Sequence, residues 1–146
     1  MNPENIVNLA QHPIQDVQYT QSCKAQLDST GALVMENFLS ADTVKSLQDE
    51  ARKVRPLAFF CHQNHNAYLL DSDASFPEEH IRNLEQQSDK GCVPHDQIPD
   101  NSPLRTLYEW HEFRVFLESV LDVPVFPYAD TLSSININYY ERGQQL

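Results

Sequence analysis

Basic side chains are in short supply. Lys and Arg total 10 against 21 Asp and Glu in 146 residues, a net charge of −11. So acidic a surface repels polyanions, which argues against DNA, RNA and anionic lipid as partners and for a small-molecule ligand. Also missing is any apolar run long enough to span a bilayer. The opening residues, Met1-Asn2-Pro3-Glu4-Asn5, lack the basic start and apolar core of a secretory signal. The expectation is a cytoplasmic protein with no membrane partner. Cysteine is sparse: Cys23, Cys61 and Cys92 are odd in number and far apart, and without an export signal they read as free thiols. No internal repeat or low-complexity tract is seen. What is present suits a folded protein, since 40% hydrophobic and 10% aromatic residues can build one core, read as a single domain over residues 1–146.

Residues 1–25 show weak periodicity. Ile6, Leu9 and Ala10 fit one helical turn before Pro13 breaks it, so residues 1–28 are expected as a loosely docked arm. The run from Gly31 to Leu39 reads as a buried strand entering a turn. Ser40 is a good helix N-cap, Asp42 suits the first turn, and Val44, Leu47, Ala51 and Val54 recur at helical spacing until Pro56. Residues 57–71 read as two short strands around a polar turn. Residues 71–101 form a long loop region, punctuated by Pro77, Gly91, Pro94 and Pro99, with a short helix over Glu78–Gln86. A connection that long is expected to serve as a lid or binding loop. Ser102-Pro103 then opens a helix whose wide apolar face (Leu104, Leu107, Tyr108, Phe113, Leu117, Val120, Leu121) runs to Asp122.

The last stretch carries the most information. Ile135, Ile137 and Tyr139 alternate with Asn136, Asn138 and Tyr140, the period-2 pattern of a strand. One face is apolar. The other offers two amides and a phenol, which can hydrogen-bond a polar ligand. Glu141-Arg142-Gly143 supplies turn chemistry.

Asn138-x-Tyr140-x-x-Gly143 resembles the strand that precedes the metal motif in iron(II)/2-oxoglutarate oxygenases. The order of weaker motifs narrows the likeness. Ile98-Pro99-x-x-Ser102-Pro103-Leu104-x-x-Leu107-Tyr108, then a helix, then the Pro127-Tyr128-x-Asp130 segment, then this strand, is similar to the branch of free-amino-acid hydroxylases and radical halogenases. The resemblance covers roughly residues 30–146. It implies an α+β fold: N-terminal helices plus the first strands of a double-stranded β-helix, a two-sheet jelly roll, incomplete in this chain. It implies Fe(II) and 2-oxoglutarate as cofactors, with Asn138 and Tyr140 as contacts to 2-oxoglutarate. It also implies that the iron ligands (His-x-Asp, or His-x-Gly or His-x-Ala in a halogenase, and a distal histidine) and an arginine clamping the co-substrate lie beyond Leu146. No catalytic or metal residue is therefore assigned within the chain.

An amino-acid substrate needs a cation for its carboxylate and an anion for its amine, and the residues of choice are Arg82 and Asp130. Cys61-x-x-x-His65 and Cys92-x-x-His95 supply thiolates and imidazoles for a zinc set, though the second pair lacks the usual spacing. The competing class is a non-catalytic acidic α+β module that binds a protein partner. The oxygenase reading carries one more expectation: with the downstream strands absent, the 135–140 strand has an open edge through which the chain self-associates.

Overall fold

The computed structural model describes residues 2–130 and 132–141. Its first helix, α1 (Val17–Thr30), is capped by Asp16, whose carboxylate accepts from the Tyr19 amide at 2.8 Å. It ends at Gly31, where φ is +72°, the left-handed geometry that closes helices without a Cβ penalty. The segment expected as a loosely docked arm packs apolar side chains into the core. Ile6, Val7 and Ile14 are buried in one cluster with Cys23 of α1 and with Trp110, Phe116 and Val120. The periodicity failed to reveal this because these apolar residues sit on irregular backbone, a 3₁₀ turn at Pro3–Asn5 and a single bridge between Val7 and Leu39. The expected strand over 31–39 is absent for a related reason. Val34 is 71% exposed, Asn37 takes a positive φ, and that one bridge is the segment's sheet-like pairing.

The helix α2 (Ala41–Val54) starts where the sequence predicts. Ser40 Oγ accepts from the Thr43 amide at 3.3 Å and donates to the Asn5 carbonyl at 3.0 Å. One hydroxyl therefore caps α2 and pins the N-terminal segment to it. Arg52 and Lys53 fall in the last turn, where the helix dipole favours them.

Residues 57–71 hold one strand rather than two, β1 (Phe59–His65). The reason is Asn66. Its buried side chain accepts from the Tyr68 and Leu70 amides at 3.0 and 3.3 Å and donates to the Leu70 carbonyl at 2.6 Å. That closes 66–70 into a turn. The partner of β1 is β2 (Gln86–Pro94), inside the region expected to be loop. Gly91 and Pro94 disguised it. Gly91 lies opposite Phe60, whose ring stands 2.6–2.9 Å from where a Cβ would be. Pro94 is the strand's last residue, where a missing N–H is tolerated. The helix expected over 78–86 is absent as well. Those residues turn around Asn83, whose side chain bonds the Asp73 backbone at 2.8 and 3.0 Å.

The helix expected to start at Ser102 is two, α3 (Pro103–Glu109) and α4 (His111–Leu121), broken where Trp110 adopts extended backbone and turns into the core. Ser102, fully buried, accepts from the Leu104 amide at 3.1 Å and donates to Glu50 of α2 at 2.6 Å. Helices α1 and α4 pack together, and α3 packs on α2.

The final strand, β3 (Asn136–Tyr139), pairs antiparallel with β2, giving the order β1-β2-β3. The described residues thus form four helices and one three-stranded antiparallel sheet, an α+β fold. A second cluster joins the sheet to the helices: Val54, Val93, Ile98 and Ile135, with Leu104, Tyr108, Ile137 and Tyr139 against it. The Tyr139 hydroxyl donates to the Ala51 carbonyl at 2.5 Å, tying β3 to α2. No helix among the described residues is long and apolar enough to cross a membrane.

Candidate functional site

The pairing register sorts the sheet's side chains onto two faces, because directly paired residues share a face and neighbours along a strand alternate. One face holds Phe60 and His62 of β1, Asp89, Gly91 and Val93 of β2, and Ile137 and Tyr139 of β3. It packs on α2 and α3 through the second cluster. The other face holds Phe59, Cys61 and Gln63, then Ser88, Lys90, Cys92 and Pro94, then Asn136 and Asn138. Phe59, Gln63, Asn136 and Asn138 on it are exposed. Tyr140, one residue past the ladder, continues the alternation onto this face and is half exposed.

The two co-substrate candidates therefore share the uncovered face. Asn138 lies opposite Cys92, and its Nδ2 donates to Asn136 Oδ1 at 2.7 Å, which aligns the two amides along the strand edge. The turn expected at Glu141–Gly143 lies, from Arg142 on, outside the described residues.

The two substrate candidates do not join them. Arg82 belongs to the loop between β1 and β2. Its Nε donates to Asp73 Oδ2 at 3.1 Å, and its guanidinium lies 5.2 Å from the Tyr68 ring and 5.8 Å from the Phe76 ring. Ser75 first, and Arg82 after it, hold the Asp73 carboxyl below its usual value. Asp130 closes a turn of its own, accepting from the Leu132 amide at 2.9 Å and the Ser133 hydroxyl at 2.8 Å, contacts that also lower its pKa. The two loops attach at opposite ends of β2: Gln86 begins it, and the Leu132 carbonyl accepts from the amide of His95, just past its end. At about 3.3 Å per residue, the hairpin end of β2 is about 20 Å from the position opposite Asn138. Charge type pointed to both residues, but each is used locally.

The zinc set is not assembled either. Cys61 and His65 lie four strand residues apart, about 13 Å. His95 Nδ1 is engaged with Ser134 Oγ at 2.5 Å. Among the described residues no group of three or more His, Cys, Asp or Glu side chains could hold a metal. His62 pairs with the buried Asp89 at 2.6 Å, and His80 stacks on Phe76.

A feature the sequence did not announce lies beside His95. A cavity of about 380 Å³ opens between α3, α4 and residues 125–128, with Tyr108, Phe113, Leu117, Phe126 and Tyr128 in its wall. The Tyr108 hydroxyl accepts from the Tyr128 amide at 2.8 Å, which holds the wall in place.

No protein-family model matches this chain, and no curated protein is significantly similar to it.

Proposed function

We propose that this chain is the N-terminal part of a non-heme iron(II)/2-oxoglutarate oxygenase that hydroxylates or halogenates a small polar substrate, a free amino acid. The observation that carries the reading is the two-faced sheet. Helices cover the β2 and β3 part of one face, while Asn138 and Tyr140 stand together, exposed, on the other. In this reading the uncovered face is the inner wall of a jelly roll, and the strands that close it follow Leu146. Among the described residues no group of three or more His, Cys, Asp or Glu side chains could hold the iron. The iron, held by ligands farther along the chain, would supply the oxidising chemistry. The part of Asn138 and Tyr140 is to bind and orient 2-oxoglutarate, by amide and phenol donors to its oxygens.

The test is to read the gene past Leu146, then express the whole reading frame and measure succinate release from 2-oxoglutarate over a panel of free amino acids. The reading expects His-x-Asp, His-x-Gly or His-x-Ala shortly after Leu146 and amino-acid-dependent succinate. It expects none from the 146-residue chain alone. A reading frame without the motif, or turnover by the 146 residues on their own, defeats it.

A second reading, a non-catalytic acidic module for a protein partner, draws on a different observation. Phe126 is 79% exposed, and Tyr128 and Leu132 nearby are also mostly exposed, a surface pattern of interaction sites. Sedimentation separates the two. The oxygenase reading expects self-association of the isolated chain through the outer edge of β3, which no described strand pairs. A strict monomer with a sharp two-state urea transition favours the module.

A further inference from the structure

The cavity beside His95 contains a cation that no carboxylate of the described residues pairs. Arg114 lines it, with Glu109 and the rings of Tyr108, Phe113, Phe126 and Tyr128. The ion pairs of the described residues use Lys24, Arg52, Arg55, His62, Arg82 and Arg105 as their basic members, not Arg114. Arg114 Nη2 donates at 3.0 Å to His111 Nδ1 instead. A ring nitrogen that accepts carries no proton, so this partner leaves the charge uncompensated. Arg114 is half-buried, whereas Glu109 is exposed. A guanidinium partly withdrawn from water without a counter-ion carries a cost that an anionic ligand offsets. Glu109, standing in water, has no such need. The rest of the wall indicates what the anion is attached to. Four rings and Leu117 make it apolar, and rings favour an aromatic guest by edge and offset contacts. A volume of about 380 Å³ suits a small molecule. The wall is also held in place before any ligand arrives: the Val125 amide donates to Glu118 at 3.2 Å and the Tyr128 amide to the Tyr108 hydroxyl at 2.8 Å. That hydroxyl accepts there and keeps its own proton for a ligand.

We propose that this cavity binds a small aromatic monocarboxylate, its carboxylate on Arg114 and its ring against Phe113, Phe126 and Tyr128. The planar fork of the guanidinium matches a carboxylate. A phosphate suits the site less: its second charge meets Glu109, and an apolar wall does not solvate it. The exposed rings of Phe126 and Tyr128, which the second reading gives to a protein partner, are here the mouth of a small-molecule site. The proposal goes beyond the oxygenase reading and does not depend on it. Neither Asn138 nor Tyr140 lines the cavity, and binding needs no iron.

The experiment titrates the 146-residue chain calorimetrically with 3-phenylpropionate and with 3-phenylpropanamide, an uncharged molecule of nearly the same shape. Wild type is expected to bind the acid more tightly than the amide by about tenfold or more, the effect of one charge-assisted contact. Arg114→Met should bring that preference close to one, and Arg114→Lys should keep part of it. Glu109→Gln removes a like charge from the rim and should tighten the acid by about two- to fivefold, the scale of an exposed charge pair, while leaving the amide unchanged. Phe126→Ala, at an exposed position, should weaken both ligands without moving the urea midpoint. A urea midpoint for each variant shows whether the fold is intact, and Arg114→Gln replaces Arg114→Met if that variant unfolds. A wild-type chain that binds neither ligand or both alike overturns the proposal. So does a preference that survives the loss of Arg114, or binding that Phe126→Ala leaves untouched. The oxygenase reading is decided separately, by succinate release from the whole reading frame.

Discussion

Replacing Ile6 by Ala tests how the N-terminal segment is held. Ile6 is 0% exposed at the centre of the cluster that joins α1 and α4. The substitution removes the three side-chain carbons beyond Cβ. At about 0.8 kcal/mol per buried carbon the transfer loss is about 2.4 kcal/mol. The cavity left behind adds to this unless neighbours collapse into it. Collapse is hindered here, because the Ile6 amide donates to Pro3 at 3.0 Å, its carbonyl accepts from Ser40 at 2.9 Å, and the next residue bridges to Leu39. The expected total is about 3–4 kcal/mol. With a urea slope of about 1.5–2 kcal/mol/M, the midpoint should fall by about 2 M. The single tryptophan, Trp110, belongs to the same cluster, so its fluorescence reports the loss directly. Val17→Ala, at a position 68% exposed, serves as the control and should stay within about 0.5 kcal/mol. If Ile6→Ala costs less than about 1 kcal/mol while Phe116→Ala costs its full core value of about 3–5 kcal/mol, the N-terminal residues are docked on the core rather than part of it.

Three other outcomes are expected. Ser102→Ala removes the cap of α3 and the donor to Glu50, and should lower stability by about 1–3 kcal/mol; a thermal midpoint equal to wild type would refute the cap's role. The Tyr19 pKa is pushed up to about 12, first by burial and then by Cys23, against about 10 in the unfolded chain. A raised folded pKa means that its contribution is complete below pH 10 and is lost as pH rises toward 12. Tyr19→Phe should therefore flatten the stability profile over that interval, though not fully, because Tyr139 is also raised by burial; an unchanged slope between pH 10 and 12 refutes the assignment. On the proposed oxygenase function, Asn138→Ala and Tyr140→Phe in the whole reading frame should each raise KM for 2-oxoglutarate about tenfold or more and raise that for the amino acid less; unchanged 2-oxoglutarate affinity in both would remove these residues from the proposed site.

The elements that could be read directly were those whose signal is local. Helix α2 has a cap at Ser40, a stripe at Val44, Leu47, Ala51 and Val54, and a stop at Pro56, all within its own length. Strand β3 has its alternation, with Ile137 and Tyr139 against the core and Asn136 and Asn138 exposed. Strand β2 alternates too, but its inward residues are Asp89, Gly91 and Val93. A charge and a missing side chain erase the hydrophobic period. Gly91 makes sense there once the ring of Phe60 is seen to occupy its place from the neighbouring strand. Trp110 hid the break between α3 and α4 for the opposite reason: apolar residues lie on both sides of it, so the stripe appears continuous through a residue whose backbone is extended.

The same logic governs the candidate site. Asn138 and Tyr140 were legible because one strand suffices to put them on one side. A counter-charge for a carboxylate was sought by residue type, which favoured Arg82 and Asp130. Each of these satisfies a partner within its own loop, Arg82 with Asp73 and Asp130 with Leu132 and Ser133. Which cation shares a face with Asn138 depends on the register of β2 against β3, and register is set by pairing between strands about 45 residues apart in the chain. That register puts Cys92 opposite Asn138 and Lys90 two residues along the same face. A candidate site on a sheet is therefore half legible: the strand with the clear period names its donors, and what stands beside them depends on a partner strand whose own period is blank.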